Sequence, residues 1–303
     1  MKLPSGRRIA IAILAAQMLL AAVAGRAAPG QELPPPAVPE GSAAFVVGPG
    51  VGGPGNALAA EARRYLQDAK GFVLAPTRWS GGSWAEAAGV VAAVGILAKE
   101  DVRIDAAVQR NRSPGTNSVS RAVTPFGSYA AVGASAASLA AGLIFKDERL
   151  RDIGRDSVEA EIFAAGIVTP LLKSAFGRSR PVNGGDGDEY RPFSNGQSFP
   201  SGHTTEAFAV ASVFAARSSG WVVPVLAYSL ATGVGLARMN DRAHFASDVA
   251  AGAVIGTVIG RTIVHRHSGE SFRRLSWNVV PVRGERRGGV GLGLRLSTGS
   301  AAE

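Results

Sequence analysis

The chain has 303 residues, a formal net charge of +9 and no cysteine. The length allows one large or two small domains with a sizeable core, and the 46% hydrophobic fraction is globular rather than fibrous. The lack of cysteine excludes structural disulfides and cysteine-based phosphatase chemistry while leaving the compartment open. The positive balance suits an anionic substrate or an anionic lipid surface. No aromatic-and-basic stripe or nucleic-acid-binding motif accompanies it, so nucleic acid is not expected as a partner.

Lys2, Arg7 and Arg8 precede an apolar run from Ile9 to Ala24, followed by small-residue cleavage options at Ala22-Val23-Ala24 and Gly25-Arg26-Ala27. Residues 1–27 therefore read as a secretory signal peptide, with an uncleaved anchor as the alternative. Export to the periplasm follows. Residues 28–56 are rich in Pro and Gly and read as a flexible leader. Residues 57–124 form an N-terminal helical segment, with helices expected over 57–70 and from Trp84 to Ala98. The stretch from Lys99 to Pro125 carries Arg103, Arg110, Arg112 and Arg121. It reads as solvated, with a lid or substrate-facing loop as the alternative.

The core is expected over residues 125–267. Helices are read from Gly127 to Phe145, Asp156 to Phe176, Gly202 to Arg217, Trp221 to Ala237 and from near Ala243 to Val264. The acidic, glycine-rich loop from Val182 to Ser198 does not have the calcium-loop spacing and reads as a rim. His265 and His267 read as exposed tail residues. In the tail, 268–303, alternation around Gly284–Gly288 predicts a small β-hairpin. The expected fold class is all-α, a helical bundle with that C-terminal β-hairpin.

Three polar islands interrupt the apolar helices: Lys173 to Arg180-Pro181, then Pro200-Ser201-Gly202-His203, then Arg238, His244 and Asp248. The two central helices are nearly equal, roughly 24 Å each, and are joined by the Ser218-Ser219-Gly220 turn. They are therefore antiparallel neighbours, which puts His203 and Arg238 at one end of the bundle. His244 and Asp248 are expected at i and i+4 on one helix face. Lys173, Arg180 and Arg238 supply three positive charges suited to a tetrahedral oxyanion. Ser201 is expected as N-cap, with the Gly202 and His203 amides free to face an anion. A carboxylate one turn away fixes a histidine tautomer, so His244 is the nucleophile candidate, with Asp248 as its orienter. His203 is the general-acid candidate.

These islands resemble the signature of the type 2 phosphatidic acid phosphatase and vanadium haloperoxidase superfamily, K-x6-R-P, P-S-G-H and S-R-x5-H-x3-D. The charged and histidine positions match; Ala237 stands where the pattern has Ser. The resemblance implies a metal-independent phosphatase without cofactor. His244 attacks phosphorus to give a phosphohistidine, Asp248 orients it, and His203 protonates the leaving oxygen. Lys173, Arg180, Ser201, Gly202 and Arg238 hold the phosphoryl oxygens. The expected substrate is a phosphate monoester, soluble or a lipid phosphate at a membrane surface, with vanadate as an inhibitor. Two alternatives stay open: a haloperoxidase holding vanadate as cofactor, and a non-catalytic anion-binding envelope protein. The apolar stretches are rich in Ala, Ser and Gly, which favours a soluble periplasmic domain over inner-membrane association. Nothing in the sequence indicates an oligomeric state.

Overall fold

The computed structural model describes residues 54–184, 187–194, 196–268, 274–283 and 290–299. The expected signal peptide and most of the leader lie outside the described residues. Two compact units are distinguished, one within Ala28–Ala85 and one built on Glu86–Glu303. The first holds helix α1 (Pro54–Leu74) and the 3-10 turn Ala75–Arg78. Helix α2 (Gly81–Ala98) begins in that unit, and its larger part belongs to the second.

The stretch from Lys99 to Pro125 forms two short helices, α3 (Asp101–Arg110) and α4 (Pro114–Val123), and Arg103, Arg110, Arg112 and Arg121 are exposed on it as expected, while Asp101 and Ser120 are buried. A capping box starts α4: the Ser113 hydroxyl accepts from the Thr116 amide, Thr116 reciprocates, and Pro114 takes the first helical position. Each is only ten residues long, so docking on the bundle, rather than intrinsic propensity, stabilises them. Helix α5 (Tyr129–Ile144) follows. The single helix expected from Asp156 to Phe176 is in fact α6 (Glu148–Glu161), a π-helical stretch Ile162–Val168, and α7 (Thr169–Phe176). Gly177, at φ 55°, ends α7 in the left-handed conformation; a Cβ there would lie 1.7 Å from the Arg191 carbonyl oxygen.

Helix α8 (Gly202–Arg217) is buried along most of its length and is packed by α6, by α9 (Val222–Asn240) and by α10 (Ala246–Ser268). Ala207, Phe208 and Ala211 of α8 meet Ala231 and Val234 of α9 and Ala253 of α10. A row of glycines lets α10 approach α8. A Cβ on Gly256 would fall 2.1 Å from the Thr205 carbonyl oxygen, and one on Gly260 would fall 2.3 Å from that of Ala209. At the Arg217 end of α8, Asp156 accepts from Arg217 Nε at 2.9 Å, and its other oxygen lies 2.8 Å from His267 Nδ1. His265 and His267 thus belong to α10 instead of an exposed tail. The α8–α9 pair is joined by the expected short turn, so the opposite end of the bundle gathers the polar islands.

The all-α expectation holds for this body. The segments Arg274–Arg283 and Val290–Gly299 pair antiparallel; the fold that carries the site is the helical one, and a stable C-terminal hairpin is not established by it.

Among the described residues, three helices, α2, α9 and α10, are long and apolar enough to cross a membrane, and the pair Pro114–Gly127 with Tyr129–Ile144, bent by 46°, would make four. Leu143, Ile144 and Phe145 at the end of α5, and Trp221, Val225 and Leu226 at the start of α9, are exposed. Soluble monomers rarely leave contiguous apolar surface of this kind bare. Membrane association therefore replaces the soluble domain favoured by the sequence. The small residues that weakened the membrane reading are also those that let spanning helices pack closely.

Candidate active site

A cavity of about 620 Å³ opens where α8 begins. Lys173, Arg180, Gly202, His203 and His244 line it together, with Thr169, Ser174, Gln197 and Glu206. The other three expected residues, Ser201, Arg238 and Asp248, are not among the lining groups.

Helix α7 presents Lys173, whose ammonium donates to the Gln197 carbonyl. Burial, then the charge of Arg180, lowers its pKa to about 8. Arg180 follows in extended backbone. Its Nε is buried without a hydrogen-bond partner, and so is the Nε of Arg238. Arg238, in the last turn of α9, makes one long contact, Nη1 to Asp241 Oδ2 at 3.4 Å. Buried donors without acceptors are costly; a phosphoryl group in the cavity would supply acceptors.

Ser201 occupies the N-cap position of α8, but its side chain makes no capping bond. It is fully buried and accepts from the Thr204 hydroxyl at 2.9 Å. Its expected capping role is therefore not seen, and the amides at the start of α8 keep no side-chain acceptor there. A Cβ at Gly202 would meet Thr169 Cγ2 at 3.4 Å and Lys173 Cε at 3.9 Å, an ordinary contact rather than a forced approach. Ala237 is buried in α9 and does not line the cavity.

His203 lies in the first turn of α8. Burial, then the charges of Arg238, His244, Arg180 and Lys173, lower its pKa to about 4. His244, 3% exposed, stands in the connection before α10, not on the helix as expected. Its Nδ1 is 2.8 Å from the Ser198 carbonyl oxygen. A carbonyl only accepts, so Nδ1 carries the proton and Nε2 keeps a lone pair. Burial holds the imidazole pKa below its ordinary value. The nearest Asp248 oxygen is 3.8 Å from Nδ1, too far for a hydrogen bond. Asp248 Oδ2 instead accepts from the Phe245 amide at 2.8 Å and from the Ser198 hydroxyl at 2.6 Å. The carboxylate in the first turn of α10 thus closes back on the amide before the helix. The direct orienter of His244 is the Ser198 carbonyl, with Asp248 one bond behind it.

Sequence reasoning missed Arg178. It is fully buried, with Nη1 2.6 Å from Asp248 Oδ1 and 2.7 Å from Ser247 Oγ, and Nη2 2.7 Å from Asp101 Oδ2. Nη2 also donates to the Gly187 carbonyl. The guanidinium lies over the Phe245 ring at 4.4 Å and the Tyr190 ring at 5.2 Å. Asp101 was missed with it, inside the stretch read as solvated. Glu206 was also missed. It lines the cavity one turn beyond His203, and burial, then neighbouring Glu161, raises its carboxyl pKa to about 7. The expected rim does reach the site, through Phe193, Ser194 and Gln197.

Residues 160–271 match the family model described as the PAP2 superfamily. This segment is a PAP2 superfamily domain. It covers α7, α8, α9 and α10, and every residue expected at the site falls within it. Among curated proteins, a lipid A 1-phosphatase of Porphyromonas gingivalis is 38% identical over 91 residues, covering 29% of this chain and 18% of the relative. A lipid A 1-phosphatase of Rhizobium etli is 37% identical over 97 residues, covering 30% of this chain and 41% of the relative. A probable diacylglycerol pyrophosphate phosphatase 1 of Schizosaccharomyces pombe is 35% identical over 80 residues, covering 22% of this chain and 29% of the relative. The chain thus spans less than half the length of these relatives. Among solved structures, Aquifex aeolicus LpxE aligns at 22% identity with a TM-score of 0.44, covering 55% of this chain and 94% of that one. The recognition drawn from the three islands is borne out by the PAP2 match. Arg178 also lies inside the PAP2 segment, whereas Asp101 lies outside it.

Proposed function

We propose that the chain is a metal-independent phosphatase that hydrolyses phosphate monoesters, with lipid phosphates at a membrane surface as its substrate class. The observation that carries this reading is the meeting of His244, His203, Lys173, Arg180 and Gly202 on one cavity. The lipid class draws support from the names of the relatives and from the apolar helices around the site.

The mechanism follows from the proton positions. Lys173, Arg180 and the first amides of α8 hold the phosphoryl oxygens, and the charge of Arg238 adds to theirs from behind the lining. His244 Nε2 attacks phosphorus while the ester P–O bond breaks and His203 gives its proton to the leaving oxygen. Water then attacks phosphorus as the bond to His244 Nε2 breaks, His203 takes a proton of that water, and inorganic phosphate leaves. Asp248 acts through Ser198, and Ser201 shapes the start of α8 from behind the cavity. Export through the N-terminal segment and the C-terminal hairpin belong to the same proposal.

The test is turnover of p-nitrophenyl phosphate by the full chain in detergent, with chelator present. Wild-type turnover that is lost in His244→Ala supports the reading; unchanged turnover in that variant removes His244 as nucleophile. Vanadate, which adopts the pentavalent geometry of the transition state, is expected to inhibit strongly.

A further inference from the structure

The buried network behind His244 runs beyond Asp248. Ser198 is held at three points: its amide donates to the Arg178 carbonyl at 3.0 Å, its hydroxyl donates to Asp248 Oδ2 at 2.6 Å, and its carbonyl meets His244 Nδ1 at 2.8 Å. Arg178 therefore touches both supports of the histidine, Ser198 through its own backbone and Asp248 through Nη1 at 2.6 Å. Its remaining reach goes to Asp101 at 2.7 Å. Asp101 in turn accepts from the Ser247 amide at 2.9 Å and from the Ser247 hydroxyl, so it pins the first turn of α10. Arg178, Asp101 and Asp248 are fully buried. One cation thus bridges two carboxylates on separate elements, α3 and α10. We propose that Arg178 and Asp101 are positioning residues for the nucleophile, acting on His244 through Asp248 and Ser198.

This inference rests on the phosphatase reading and deepens it. Neither residue lines the cavity, so neither touches substrate. What they set is the height and tilt of the Ser198 carbonyl and the Asp248 carboxylate under the imidazole. A planar guanidinium suits the task because it fixes two partners at one distance and one angle, which an ammonium does not. The bridge also balances charge beneath the histidine. The charged and titratable groups around His244 are Asp248 at the start of α10, Lys173 of α7, Arg180 after it and His203 of α8. Loss of Asp101 leaves the Arg178 charge less compensated and disfavours imidazolium; loss of Arg178 does the reverse.

The experiment compares the full-length wild type with Asp101→Asn and Arg178→Gln on p-nitrophenyl phosphate, with vanadate inhibition as the measure of transition-state binding. Folding of each variant is checked by thermal unfolding. Both variants are expected to lose kcat by about 10- to 100-fold, as misplaced reactive groups do. KM should stay within about threefold, because ground-state binding is untouched, whereas the vanadate inhibition constant should rise along with the loss of kcat. The acid limb of the kcat profile, set by protonation of His244, should move to lower pH in Asp101→Asn and to higher pH in Arg178→Gln. If Arg178→Gln does not fold, Arg178→Lys replaces it: the charge is kept and the bridge is lost, so kcat falls without a limb shift. Folded variants with wild-type kcat would overturn the inference, as would limbs that move in the same direction or a KM that rises in step with the loss. A wild type that turns over no ester would instead remove the phosphatase reading itself.

Discussion

His203 and His244 share one cavity, the proposed mechanism needs them in opposite protonation states, and burial, then the charges around them, sets how each titrates. On the proposed mechanism, His203 carries a proton for the leaving oxygen. Its pKa is lowered to about 4, so the competent form is lost as pH rises through that value. A bound phosphoryl dianion offsets the charges of Lys173, Arg180 and Arg238, which raises the His203 pKa in the complex. The falling limb of kcat is therefore expected at higher pH than that of kcat/KM, since the two report the complex and the free enzyme. Parallel profiles, corrected for the ester's own ionisation near pH ~6, check this; coincident limbs would contradict it. At the same scale, Arg178→Ala leaves Asp101 and Asp248 buried without their cation. Stability should fall by about 3–5 kcal/mol, measured by thermal or denaturant unfolding. The histidines and cavity cations were legible in the sequence because their spacing is unusual in apolar helices. Arg178 was not legible, because an arginine in a polar island looks the same whether it faces solvent or two buried carboxylates. Asp101 was hidden for the same reason, and Ser198 because its contribution to His244 is a backbone carbonyl.

At the scale of elements, periodicity placed α8 at its observed bounds and put α9 within a few residues of them, since long apolar runs leave little choice. It failed where packing decides. Helices α3 and α4 are short and polar, and the helix before Lys173 widens into a π-helical stretch that no side-chain pattern announces. The i,i+4 reading of His244 and Asp248 failed because α10 starts only at Ala246, after the turn that carries His244. The glycine row of α10 gives a prediction of its own. Gly256→Ala puts a Cβ 2.1 Å from the Thr205 carbonyl oxygen, so α8 and α10 must separate. A loss of about 1–3 kcal/mol is expected. Gly133→Ala, on α5 with nothing within 4 Å of the added carbon, should instead be neutral or stabilising by up to about 1 kcal/mol. Unfolding of the two variants side by side separates a packing effect from a generic glycine effect.

For the whole molecule, the apolar helices and the phosphoryl cavity belong to one description. The site lies at the end of the bundle where α7 and α9 finish and α8 begins, and α9 and α10 are long and apolar enough to cross a bilayer. The full chain is expected in the membrane fraction and to resist extraction by salt or alkali, because its attachment is apolar rather than ionic. Release by high salt alone would contradict that. The most direct measurement is rapid quenching of the full-length protein during turnover of a phosphate-labelled monoester, followed by mapping of the label. An acid-labile, base-stable phosphoryl group on His244, absent from His244→Ala, is the predicted result; turnover with no covalent phosphoenzyme, or with the label on a different residue, would contradict it.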